Sequence, residues 1–139
     1  MDIDPGAAFE FDIDKELKIH SDGGSLNAVG TANSKITFTC AVEGSRWSGI
    51  HFRSSSMLNQ LEHVEVHYAG SVEVRLDEFE DKKAAVSGDK NGLLEMTNSQ
   101  ITYSGGYGVY WQDETTINDD VGNENEFENN EKEDVVIVY

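Results

Sequence analysis

Leu58-Asn59-Gln60-Leu61-Glu62-His63-Val64-Glu65-Val66-His67-Tyr68-Ala69-Gly70 carries the pattern on which the fold turns. Apolar and polar side chains alternate, so Val64, Val66 and Tyr68 share one face of an extended strand while His63, Glu65 and His67 share the other. A period of two belongs to a strand with one face in a core and one in water. The same period recurs in Ala8-Phe9-Glu10-Phe11-Asp12-Ile13, Leu17-Lys18-Ile19, Ile36-Thr37-Phe38, Ile50-His51-Phe52, Val72-Glu73-Val74 and Ile101-Thr102-Tyr103. Residues 76–85 contain helix formers but no sustained i, i+3, i+4 apolar face, so the chain is predicted to be all-β.

Between these strands lie Asp22-Gly23-Gly24-Ser25, Gly44-Ser45, Ser87-Gly88-Asp89, Lys90-Asn91-Gly92 and Ser104-Gly105-Gly106, clusters suited to tight turns. Many short strands with frequent turns admit an antiparallel sandwich or barrel joined by hairpins, or a solenoid of parallel strands. Recurrence of similar apolar segments every roughly 20 to 30 residues leans toward the solenoid. The length of 139 residues with one proline fits a single domain over 1–139.

Charge narrows the partners. Twenty-seven acidic against 10 basic residues give a net charge of −17, which repels nucleic acid and anionic membrane surfaces. Residues 112–139 alone hold ten acids against the single base Lys132. No apolar run reaches membrane-spanning length, and the start Met1-Asp2-Ile3-Asp4-Pro5 lacks the basic and apolar regions of an export signal. Cys40 is the only cysteine, which rules out an internal disulfide; at the end of Ile36-Thr37-Phe38-Thr39-Cys40 it reads as an inert thiol, with no basic neighbour to activate it.

The runs Ile3-Asp4-Pro5-Gly6-Ala7-Ala8-Phe9-Glu10-Phe11, Gly24-Ser25-Leu26-Asn27-Ala28-Val29-Gly30-Thr31, Lys35-Ile36-Thr37-Phe38-Thr39 and Trp47-Ser48-Gly49-Ile50-His51-Phe52 resemble successive coils of bacterial right-handed parallel β-helix repeat proteins of the pectate-lyase-like superfamily. So do the stretch 58–70, Asn98-Ser99-Gln100-Ile101, Gly106-Tyr107-Gly108-Val109 and Asn125-Glu126-Phe127-Glu128-Asn129-Asn130, so the resemblance covers most of the chain. It implies a right-handed parallel β-helix of about five coils, with Asn98, Asn118, Asn125 and Asn129 as corner residues whose amides bond along the axis, or as ordinary turn residues. It also implies an extracellular or cell-surface location, although without an export signal the cytoplasm stays open. The family holds polysaccharide lyases and hydrolases, adhesins and modules of other roles, so fold alone does not choose among them. This chain departs from it in being much shorter than the usual secreted member and in a charged excursion near 72–90.

Several groups of residues are candidates for chemistry. His63, Glu65 and His67 point outward together, but residues i and i+4 of a strand lie about 13 Å apart, too far for both histidines to hold one ion. The chain is expected to need no cofactor; the one ion its acidic patches suit is calcium, at Asp2/Asp4, Asp12/Asp14 or Asp119, Asp120 and Glu124, none in a calcium-loop motif. Tyr103, Tyr107, Tyr110 and Trp111 offer rings that stack on sugars or fill a core. Arg46, Arg53 and Arg75 are the only arginines, and no lyase motif surrounds them, so no catalytic residue is carried over. Val135, Val136, Ile137, Val138 and Tyr139 form an apolar strand with an open edge, expected to pair with a second copy in a homodimer or to fold along its own last coil. The sequence therefore predicts a non-catalytic module for binding or surface assembly, with a glycan or cation as ligand; the alternative is a carbohydrate-active enzyme.

Overall fold

The computed structural model describes residues 1–74, 76, 81–89 and 91–138. Among them are fourteen strands: β1 (Asp2–Ile3), β2 (Ala8–Phe11), β3 (Glu16–Ile19), β4 (Asn27–Val29), β5 (Ile36–Cys40), β6 (Gly49–Phe52), β7 (Gln60–Glu62), β8 (Val64–His67), β9 (Ala84–Gly88), β10 (Glu95–Thr97), β11 (Gln100–Thr102), β12 (Tyr107–Trp111), β13 (Glu126–Glu128) and β14 (Val135–Ile137). A single 3-10 turn occupies Glu114–Thr116.

The strands make three sheets, which the chain visits in rotation. The first runs β1-β4-β7-β10, the second β2-β5-β8-β11-β13 and the third β3-β6-β9-β12-β14. Every strand pairing is parallel, so the hairpin-joined sandwich falls away and the arrangement fits a parallel β-helix. Among the described residues the only antiparallel contacts are isolated bridges, Thr31 to Ser34 and Val74 to Lys82.

Stacking in register makes each inward position a row down the axis. Ile3, Ala28, Leu61 and Met96 form the row of the first sheet, and Phe9, Phe38, Val66, Ile101 and Phe127 that of the second. The third contributes Leu17, Ile50, Val86, Val109 and Val135. These side chains meet in one core, each full burial of a large apolar group stabilising by about 1.5–3 kcal/mol. Phe9 stacks on Phe38 at 5.3 Å along the second row, and Phe11 stacks on Trp47 at 4.3 Å. In the row Ile19, Phe52, Gly88, Trp111, Ile137, a Cβ on Gly88 would lie 2.6 Å from the Trp111 indole, so the glycine is what admits that ring.

The corners depart from simple alternation. His63, with φ of 51°, is the turn between β7 and β8 rather than part of a strand, and Tyr68, with φ of 53°, turns the chain out of β8 instead of joining Val64 and Val66 inside. Asn98 and Asn129 also sit at left-handed corners, with φ of 50° and 57°, where their residue type is tolerated. The axial amide bonds come from other asparagines. Asn59 accepts from Leu26 N at 2.9 Å and donates to Ser54 O and Leu93 O, both at 3.0 Å, joining three circuits. Asn118 grips Met96 N and O, Asn125 bonds Ser99 N and Met96 O, and Asn130 bonds Ser104 N and Ile101 O.

One segment leaves the circuit after Gly70 and returns at Lys83. Its Val74 and Leu76 pack with Tyr110 and Ala84 in a second small core on the outer face of the third sheet. Of the excursion expected over 72–90, Arg75, residues 77–80 and Lys90 lie outside the described residues, as does Tyr139 of the terminal strand. No helix among the described residues is long and apolar enough to cross a membrane.

Candidate functional site

A polar concavity lies on the outer face of the third sheet. In β6, Ile50 and Phe52 point into the core, so His51 must point out; Lys18 in β3 and Ser87 in β9 flank it in register. His51 is nevertheless only 2% exposed. Its Nε2 lies 3.2 Å from Oδ1 of Asp89, which is 1% exposed, and Arg53 Nε lies 2.5 Å from Asp89 Oδ2. A carboxylate so buried is tolerable only when charge and hydrogen bonds compensate it, and the imidazole and guanidinium beside it contribute to that. Above them opens a cleft of about 510 Å³, walled by Asp14, Glu16 and Lys18 on one side and by Val72, Glu73 and Val74 on the other. Ser48 also lines it, its hydroxyl oxygen buried without a hydrogen-bond partner.

A second groove of about 380 Å³ follows the corner between the first and second sheets. It brings together His63, Glu65 and Glu124 with Lys35 and Glu126. Glu65 is held by His67 Nε2 at 2.7 Å and by Lys35 Nζ at 3.6 Å, and His67 Nδ1 contacts Thr102 Oγ1 at 2.5 Å. The hydrogen bond from His67 is the main cause holding the Glu65 carboxyl below its ordinary value, against partial burial and aided by the nearby charges of His67 and Lys35. Within the outward trio, Glu65 and His67 bind each other, while His63, at its corner, lines the groove beside Glu65. Asp119 and Asp120 lie exposed in the following turn, where Asp120 O accepts from Asn123 N and Glu124 N. Among the described residues, no three His, Cys, Asp or Glu side chains converge to hold a metal ion.

The aromatic group is divided. Trp111 lies wholly in the core, its Nε1 donating to Thr116 Oγ1 at 2.9 Å. Tyr110 is buried under the excursion with the Lys82 ammonium 5.7 Å from its ring centre, and half-buried Tyr107 is covered by Lys132 at 5.5 Å. Tyr103 stands apart at the corner between the second and third sheets, stacked on Tyr68 at 5.0 Å and 10°. Val135, Val136, Ile137 and Val138 are half-buried: β14 lies along β12, and Val138 N donates to Trp111 O at 2.8 Å.

Sequence reasoning missed the His51–Asp89–Arg53 cluster. His51 and Arg53 stand two apart and so share a strand face, which is a signal in the sequence, but Asp89 reads there as a turn residue and joins them only through the coil register. No family model matches the chain, and neither curated proteins nor solved structures yield a match.

Proposed function

We propose that this chain is a non-catalytic binding module on a short right-handed parallel β-helix of about five coils, similar to the pectate-lyase-like repeat proteins, and that its ligand seat is the cleft over His51, Arg53 and Asp89. The hand follows the strong preference of parallel crossover connections. The observation that carries the reading is the buried Asp89 carboxylate gripped by His51 and Arg53 beneath an open cleft. Such a grip fixes the imidazole and guanidinium before a ligand arrives, which reduces the ordering cost of binding. With acceptors at Asp14, Glu16 and Glu73 and donors at Lys18 and Arg53, the walls suit a ligand whose groups both donate and accept, as sugar hydroxyls do. The charge of −17 disfavours polyanionic glycans, so a neutral glycan is the ligand class. Cell-surface placement belongs to the same reading through the resemblance, and a second copy pairing along the outer edge of β14 is its mode of assembly.

The runner-up, a carbohydrate-active enzyme, is favoured by the same imidazole–carboxylate pair, since a carboxylate that orients a histidine is also how a general base is held. Calorimetric titration with neutral cello-oligosaccharides and with oligogalacturonides separates the readings, with products followed by chromatography. Binding of the neutral series, weakened about tenfold or more by Arg53→Gln and by Val72→Trp, with the saccharide recovered intact, is the expected result. Release of shorter products would favour the enzyme; equal binding by both variants would remove the cleft as the seat.

A further inference from the structure

We infer that the groove beside Tyr68 is a stacking subsite for one neutral pyranose ring, at the end of a path that leads round the corner to the cleft over His51. The inference rests on the glycan reading for its ligand class, but on different residues.

The backbone gives the first argument. Tyr68 and Tyr103 occupy left-handed corners, with φ of 53° and 57°, where a bulky aromatic residue is a genuine outlier. The equivalent corner after β13 is taken by Asn129, with φ of 57°, so the geometry itself asks for nothing aromatic. Backbone outliers of this kind persist where the surrounding structure imposes them, and they cluster at ligand sites.

Exposure gives the second. The two rings stack on each other, yet Tyr68 is 41% and Tyr103 42% exposed. Tyr103 covers Tyr68 from the side of the fourth circuit. On the other side, Cys40 and Ala41 line the same groove as Tyr68, and both are small. The result is a groove of about 480 Å³ bounded by Tyr68, Cys40, Ala41 and the exposed Val42. A sugar ring slid against the free face of Tyr68 would form the third layer of the stack, its apolar C–H face on the phenol ring. Its hydroxyls would meet Thr39, Ser45 and Glu43 on the rim. Glu43 is the only charged group in that lining, which favours a neutral sugar over a uronate.

Continuity gives the third. Gly44 and Ser45 belong both to this groove and to a shallower depression of about 260 Å³ beside Arg46. Asp14 belongs both to that depression and to the cleft over His51. Arg46 is pinned along the way, its Nε donating to Tyr103 O at 2.9 Å and its Nη2 lying 3.7 Å from Glu131. A continuous path of this kind fits an oligosaccharide better than an isolated monosaccharide.

The test titrates the full chain with cellohexaose, following the Tyr68 ring resonances and the heat of binding, with N-acetyltryptophanamide as a competitor. Tyr68→Asn keeps a residue suited to the corner and should weaken cellohexaose about tenfold or more, while Tyr68→Phe should stay within about twofold. Ala41→Trp should fill the slot and weaken binding to a similar degree with an unchanged circular dichroism spectrum. Wild-type affinity in Tyr68→Asn and Ala41→Trp, with loss in Arg53→Gln, would overturn the subsite and leave the cleft reading standing. The opposite pattern would keep the subsite and remove the cleft. Absence of cellohexaose binding would overturn both, and a slot that takes only the indole competitor would overturn the sugar assignment.

Discussion

Asn59 ties three circuits together through one side chain. The residue is 1% exposed and its amide bonds one backbone N–H and two carbonyls on three circuits, so Asn59→Ala strips Leu26 N and Leu93 O of this partner, while Ser54 O keeps Leu93 N. The variant should lose about 3 kcal/mol or more in urea unfolding, whereas Asn98→Gly, at a left-handed corner, should change stability by less than about 1 kcal/mol. The sequence does not separate these two roles, because turns and axial amide bonds draw on the same residue type; Asn118 and Asn125 proved axial, Asn98 and Asn129 did not. Glu65 adds a pH-dependent contribution. Its carboxyl is held below the ordinary value of 4.5, so its stabilisation is complete above that value and is lost as pH falls through the lower folded-state value. Carbon-detected NMR titration should place the Glu65 midpoint below 4.5, and His67→Ala should raise it.

At the scale of the strand, inward rows were legible and outward contacts were not. A period of two marks Val64 and Val66 as interior from sequence alone, since burial of one face is what selects that period. His51 and Asp89, by contrast, lie 38 positions apart and meet only because β6 and β9 stack in one register. The edges of the elements were the least legible part, as Tyr68 illustrates: alternation alone continues β8 through it, while the backbone turns there. The row holding Gly88 supplies the test at this scale. Gly88→Ala places a methyl 2.6 Å from the Trp111 ring, forcing the indole or the strand to shift. The cost should be about 1–3 kcal/mol, read as a lower urea midpoint, accompanied by a change in Trp fluorescence.

Across the whole molecule, the extensive contacts between strands join adjacent circuits, so stability is largely a sum over neighbouring layers rather than a property of one centre. The all-β character and the recurrence of strands were legible because successive circuits repeat the same period; the docking of Val74 and Leu76 onto the third sheet was not, because with Tyr110 they form a core that no repeat encodes. The terminal layer has β14 as its last strand in the third sheet. If a second copy completes that edge, light scattering should give a dimer mass for the full chain and a monomer mass for a version ending at Glu133. A monomer mass for both would discard the pairing.

The detour between Gly70 and Lys83 has a further consequence. In the next circuit the chain crosses the same corner from Tyr103 to Tyr107 directly, and β9 and β12 remain in register all the same. Length there is decoupled from the spacing of the layers: a foreign peptide grafted into this seam should leave the β9–β12 register intact wherever Val74 and Leu76 keep their seat on the third sheet.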